Sequence, residues 1–271
     1  MKLTRVNGQL VASQPQLINL DRVGIVERKR IFCEIEAQIP LRQVPDDISE
    51  RSVTVTDFTV PARDGYAIPA AINGEAHLSA SPATAGFLVG GISSGANFAG
   101  VIAYTARDAG LSPPITGLFI SIPVCLMPQA YPLAPAEWTE KHLLSLEQNA
   151  DNPLLTRKSL TDIQDLYGCP PEDPRISFLL NKDHSKFPGR AYFQICGRDP
   201  LRDEAFLWQM LLERHSGTKS KIHLYSGQPH GFWRFLQMKV SQGWLDDVVD
   251  GIGFLCAEEE RAQQTELVVK V

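Results

Sequence analysis

The stretch that most constrains this chain is Gly86-Phe87-Leu88-Val89-Gly90-Gly91-Ile92-Ser93-Ser94-Gly95-Ala96-Asn97. A short apolar run leads into Gly91-Ile92-Ser93-Ser94-Gly95, and an apolar-periodic stretch rich in small residues follows directly. Strand, G-x-S-x-G turn and helix in that order make a nucleophile elbow, which holds a serine on a turn too tight for bulky neighbours. Gly91 and Gly95 are expected to give the backbone room for that turn. The competing reading is a Gly/Ser turn that only joins a strand to a helix. Partners for Ser93 elsewhere in the chain decide between the two.

From residue 87 onward strand and helix patterns alternate. Strands are expected at 87–92, 115–122, 191–196 and 221–225, and helices at 94–108 and 202–215. A final helix carries Trp244, Val248, Ile252 and Leu255 at near-helical spacing. Such alternation predicts an α/β fold with a mostly parallel, helix-flanked sheet. Ahead of it, residues 1–22 are polar, without pattern, and expected to be loose. Ile25, Ile31, Phe32, Ile35 and Ile39 share one side of an expected helix over 23–39, with Glu27-Arg28-Lys29-Arg30 opposite and Pro40 ending it. Residues 40–51 read as a linker. Residues 53–60 and 66–72 read as a hairpin turning at Asp64-Gly65. The Pro-rich stretch 124–185, with helical patterns at 137–149 and 160–167, reads as an insertion forming a cap or lid over a site. The whole of 1–271 is expected to be one domain, residues 1–50 supplying a cap helix and linker.

At 271 residues, 44% of them hydrophobic, the chain can bury a sizeable core. A net charge of −5 argues against nucleic acid or an anionic membrane as partner. The five cysteines, Cys33, Cys125, Cys169, Cys196 and Cys256, are odd in number and form no C-x-x-C pair. Free thiols in a reducing compartment are expected, with neither a disulfide framework nor a metal site. The glycine-rich stretch has neither the Lys-Ser/Thr of a P-loop nor a G-x-G-x-x-G, so no nucleotide cofactor is expected. The first residues have no apolar signal core, and the longest apolar stretch, 115–127, is too short to span a bilayer. A soluble, cytoplasmic protein without a membrane span is expected.

Serine needs a base to take its proton and an acid to orient that base. Gly197-Arg198-Asp199-Pro200-Leu201-Arg202-Asp203-Glu204 follows the third strand, and Gly227-Gln228-Pro229-His230-Gly231-Phe232 follows the fourth. Ser93, Asp199 and His230 therefore each fall just past a strand's C-terminal end, where open α/β sheets build their sites. Each has a plainer role open to it. Asp199 could cap the helix that begins near Arg202, and His230 could be an ordinary loop residue. Asp203 and Glu204 are rival acids, expected instead as exposed first-turn charges. His77, His142, His184, His215 and His223 lack a strand-end placement.

At this point the chain resembles the hormone-sensitive-lipase-like group of α/β-hydrolases, particularly its fungal esterases. The motifs that carry the resemblance are Gly90-Gly91-Ile92-Ser93-Ser94-Gly95-Ala96-Asn97, Asp199-Pro200-Leu201-Arg202-Asp203-Glu204 and Pro229-His230-Gly231-Phe232-Trp233, and it covers residues 53–72 and 74–255. It implies an α/β-hydrolase fold and hydrolysis of a small-molecule carboxylic ester through an acyl-enzyme, without cofactor or metal. Ser93 would be the nucleophile, His230 the base, Asp199 the orienting acid and the Ser94 N–H an oxyanion donor. The relatives' use in small-molecule biosynthesis implies an acetylated or lactone-bearing substrate. Two positions depart from the family. Ile92 stands where many relatives carry an acid, and the H-G-G-G loop that supplies most of the oxyanion hole is absent. Two central strands (the family's third and fourth) are expected to be missing at residues 72–74, leaving the elbow strand without its neighbour. Loss of one oxyanion donor costs about 10²–10³ in rate, so a catalytically impaired relative acting as a binding protein is the alternative reading.

Overall fold

The computed structural model describes residues 87–235, 237–257 and 264–270, together with four strands within the first 73 residues. Residues 38–86 form one compact unit; residues 1–37 with 87–271 form the other. The expected helix over 23–39, the linker 40–51, the stretch 74–85 and Cys33 lie outside the described residues.

In the smaller unit, Val55–Pro61 (β3) pairs antiparallel with Ala67–Asn73 (β4), with Phe58 opposite Ala70 and Pro61 opposite Ala67. That is the hairpin expected from the β-branched run and its Asp-Gly. Residues 1–22 are not uniformly loose: Leu3–Val6 (β1) pairs antiparallel with Gln9–Ala12 (β2). Asn7-Gly8, a strong two-residue hairpin signal, separates them.

The larger unit is organised by a five-stranded parallel sheet in the order β5-β6-β7-β8-β9. The strands are Leu88–Ile92 (β5), Gly117–Ser121 (β6), Arg190–Cys196 (β7), Lys219–Tyr225 (β8) and Glu266–Lys270 (β9). β9 was not expected, because five residues near the chain end carry too short a pattern. Among the described strands, the elbow strand β5 is outermost at the opposite end. Side chains alternate across β7. Phe193 meets Trp208 of the helix Arg202–Ser216, while Tyr192 touches Gly251 of the helix Trp244–Cys256 on the other face. Trp208 is fully buried, as are Phe178 and Phe193 around it.

Helix α1, Ser94–Asp108, buries Ala96, Ala99, Gly100 and Ala103 and leaves Phe98 and Ile102 exposed. Small residues face inward because the partner is bulky: a Cβ on Gly100 would lie 2.5 Å from the Phe178 ring. The insertion is helical. It holds Ala136–Lys141 (α2), Ser145–Gln148 (α3) and Arg157–Tyr167 (α4), with 3-10 turns at Pro128–Leu133 and Phe178–Leu180. The helical pattern at 137–149 is therefore two short helices broken at residues 142–144. Arg202–Ser216 (α5) ends on Gly217 in the left-handed conformation, and Lys239–Gln242 (α6) precedes Trp244–Cys256 (α7). Among the described residues no helix is long and apolar enough to cross a membrane.

Candidate active site

Ser93 sits between β5 and α1 with φ 56° and ψ −117°. Positive φ is costly for a residue with a Cβ, about 1–3 kcal/mol, and is held only where neighbours over-determine it. Here the Ser93 N–H donates to the Ser121 carbonyl at 2.8 Å, extending the β5–β6 pairing. Its own carbonyl accepts from the Asn97 N–H at 3.0 Å, opening α1. The Asn97 amide in turn donates to the carbonyls of Val124 and Ile176, 2.7 Å each, tying the start of α1 to both ends of the insertion. Gly91 is required by contact, since a Cβ there would fall 2.2 Å from Gly95 backbone. Gly95 is not: a Cβ on it meets nothing within 4 Å. The expectation that both glycines make room is thus corrected to Gly91 alone.

Ser93 Oγ lies 2.9 Å from Nε2 of His230, and Nδ1 of His230 lies 2.6 Å from Oδ2 of Asp199. Three strand ends separated widely in sequence thus bring their polar side chains into one line. Asp199 is 1% exposed. Its Oδ1 accepts the Leu201 N–H at 3.0 Å, so the carboxylate braces its own turn and faces the imidazole at once. The turns of Asp199 and His230 are joined, the Arg198 N–H donating to the Gln228 carbonyl at 3.0 Å. Gly197 permits that approach, since a Cβ there would fall 2.0 Å from the Ser226 carbonyl oxygen. Beyond His230, Gly231 is left-handed at φ 70° and Phe232 is fully buried, which fixes the loop's far side.

Asp203 and Glu204 are not the exposed first-turn charges expected. Glu204 is fully buried: Oε2 accepts the N–H groups of Cys125 and Leu126 at 2.7 and 2.9 Å, and Oε1 accepts the Tyr131 hydroxyl at 2.7 Å. Burial pushes its carboxyl up to about 8, against the pull of those three donors. Asp203 Oδ2 accepts the Leu144 and Ser145 N–H groups at 2.9 and 2.7 Å. Arg202 donates to the Gly197 carbonyl and to Gln148. Both acids are occupied by donors of the insertion, and the carboxylate bonded to the imidazole is that of Asp199.

Ser94 is exposed and is the first residue of α1, where backbone N–H groups have no intrahelical acceptor. Cys196 is buried near the acid turn; burial first, and then the Asp199 charge, keep its thiol well above the usual range, so it offers no thiolate. His184, in the irregular segment before β7, is buried with Nδ1 2.6 Å from the Tyr104 hydroxyl. Among the described residues no cluster of three His, Cys, Asp or Glu could hold a metal ion.

Comparison with known proteins bears on the fold and the family. A family model described as alpha/beta hydrolase fold matches residues 56–234. An AB hydrolase superfamily protein of Schizosaccharomyces pombe is 30% identical over 185 residues, 68% of this chain and 53% of that protein, so the chain spans about half that relative's length. A versiconal hemiacetal acetate esterase of Dothistroma septosporum is 22% identical over 247 residues, covering 91% of this chain and 74% of that one. Among solved structures, vibralactone cyclase superposes with a TM-score of 0.65 at 22% identity, over 94% of this chain and 92% of that chain, a likeness of fold. The sheet, the serine turn and the matched span together make this chain a member of the hormone-sensitive-lipase-like family of α/β-hydrolases.

Proposed function

We propose that the chain is a serine hydrolase that cleaves a carboxylic ester of a small or medium apolar molecule through an acyl-enzyme. The observation that carries this reading is the Ser93–His230–Asp199 line, with contacts of 2.9 and 2.6 Å. Ser93 Oγ attacks the acyl carbonyl as its proton passes to Nε2 of His230, and Asp199 stabilises the imidazolium through Nδ1. The tetrahedral oxyanion takes a hydrogen bond from the Ser94 N–H. His230 then returns the proton to the departing alcohol, and water, activated by the same imidazole, releases the acid. The acetate-esterase relative, aligned over 91% of the chain, favours an acetyl ester as substrate. A cytoplasmic setting suits Cys125, Cys169, Cys196 and Cys256, all free thiols.

Hydrolysis of p-nitrophenyl acetate by the chain and by Ser93→Ala tests the reading. A burst of p-nitrophenol stoichiometric with protein, abolished in Ser93→Ala, is expected. Equal rates in the two proteins would overturn it. Fluorophosphonate labelling of Ser93 without steady turnover would identify the impaired relative, in which acylation survives and the oxyanion hole is incomplete.

A further inference from the structure

The insertion reaches the acid turn with three side chains. Asn149 Nδ2 donates to the Asp199 carbonyl at 3.0 Å, Asn152 Nδ2 donates to the Arg198 carbonyl, and Ser145 Oγ donates to the Pro200 carbonyl at 2.8 Å. Three consecutive carbonyls, centred on the acid, are thus each taken by a side chain from the eight-residue stretch 145–152. Asn152 is 5% exposed and Ser145 fully buried. A buried amide left unpaired costs about 1–3 kcal/mol, so each is strongly tied to its acceptor. The orientation of the Asn152 amide is set independently, because its Oδ1 accepts the Leu154 N–H at 3.2 Å and Nδ2 must then face Arg198.

The same turn is held from its other side by the His230 loop, through the Arg198 N–H on the Gln228 carbonyl and the Gly197 N–H on the Tyr225 carbonyl. The peptide before Asp199 is held on both sides, its Arg198 carbonyl by Asn152 and its Asp199 N–H by the Cys196 carbonyl at the end of β7, 3.2 Å away. The peptide after it leads into Pro200, has no N–H, and is held through the Asp199 carbonyl alone, which accepts from Asn149 and from the Arg202 N–H at 3.2 Å. With both peptide planes fixed and Oδ1 bound to the Leu201 N–H, Oδ2 has one direction left, toward Nδ1 of His230.

We propose that Asn152 and Asn149 are positioning residues for Asp199, so that the insertion is part of the catalytic scaffold. The proposal rests on the serine-hydrolase reading. Displacement of a catalytic group by about 1 Å costs on the order of 10² in rate, which is the scale at which loosening this turn should register.

The test compares Asn152→Ala, Asn149→Ala and the double variant with the parent chain on p-nitrophenyl acetate, active sites being counted by fluorophosphonate titration. Expected is a fall in kcat per titrated site of about 10- to 100-fold with KM within about twofold. A lowered Tm with unchanged kcat per titrated site would overturn the proposal and leave the two amides a structural role. Should Asn152→Ala fail to fold, Asn149→Ala, which removes one donor from a half-buried position, carries the same readouts. A parent chain with no Ser93-dependent turnover would instead overturn the serine-hydrolase reading itself, an outcome separate from a parent that turns over and variants that match it.

Discussion

A methyl group on Gly91 would fall 2.2 Å from the carbonyl carbon and oxygen of Gly95, whereas one on Gly95 would meet nothing within 4 Å. The two glycines of the G-x-S-x-G turn therefore do different things. Gly91 lets the first turn of α1 cross the end of β5, and Gly95 is only the backbone that passes there. Gly91→Ala must push α1 off the strand and is expected to abolish fluorophosphonate labelling of Ser93. Gly95→Ala replaces a poor helix former by the best one in open space. It is expected to label at the parent rate within about threefold and to gain up to about 0.5 kcal/mol in urea unfolding. Equal damage from both substitutions would show that the turn is governed by something other than this contact.

Asp199 reaches His230 with one oxygen and its own turn with the other. Asn in its place keeps the size and one acceptor but carries no charge for the imidazolium and can reverse the imidazole's tautomer. Asp199→Asn is expected to lower kcat on p-nitrophenyl acetate by about 10³–10⁴-fold with little change in KM. A loss below tenfold would assign Asp199 to holding the turn alone, the helix-capping role open to it from sequence.

The meeting of Ser93, His230 and Asp199 was legible because each falls within a short turn of a strand end whose apolar run is easily seen, and a parallel sheet places all such ends on one rim. What was not legible depends on partners remote in sequence. Glu204 looked like a first-turn surface charge, yet its acceptors are filled by residues 73 to 79 positions away. No local period reports that. Asn149, at the end of the expected helix over 137–149, and Asn152 beyond it give no local sign of their partners 46 to 50 positions away. The β1–β2 hairpin did have a signal, Asn7-Gly8, but its flanks lack the alternation that would have supported it. The small inward face of α1 was readable, since Ala96, Ala99, Gly100 and Ala103 leave room only for close packing.

His184 is held neutral. Burial first, and then the nearby His215 and Arg107 charges, lower it to about 4, with Asp183 opposing; Nδ1 sits 2.6 Å from the Tyr104 hydroxyl. The unfolded chain takes up this proton near pH 6.5 and the folded chain only near 4. Stability from this group is therefore present above pH 6.5 and lost as pH falls toward 4, at up to about 1.4 kcal/mol per pH unit. His184→Gln, whose amide can keep a hydrogen bond to Tyr104, is expected to flatten the difference in urea-unfolding free energy between pH 6.5 and 4.5. An unchanged slope in that variant would locate the acid sensitivity elsewhere.

Glu204 acts in the opposite direction and over a different range. Burial is the dominant influence on its carboxyl and raises it to about 8, while the unfolded chain ionises it near 4.5. Between those values the unfolded state holds fewer protons, so stability from this group is full below pH 4.5 and falls as pH rises through 8, by up to about 1.4 kcal/mol per unit. Gln in its place remains neutral throughout. Its carbonyl can accept the Cys125 and Leu126 N–H groups, and its amide can donate to the Tyr131 oxygen with that hydrogen bond reversed. Glu204→Gln is accordingly expected to match the parent near pH 5 and to exceed it at pH 8 in urea unfolding, with Ser93 labelling retained. Since His184 moves the parent the other way below pH 6.5, the measured quantity is the difference between variant and parent at each pH. A variant weaker than the parent at pH 8 would mean that Glu204 is ionised there, and that its three donors outweigh the cost of burying the charge.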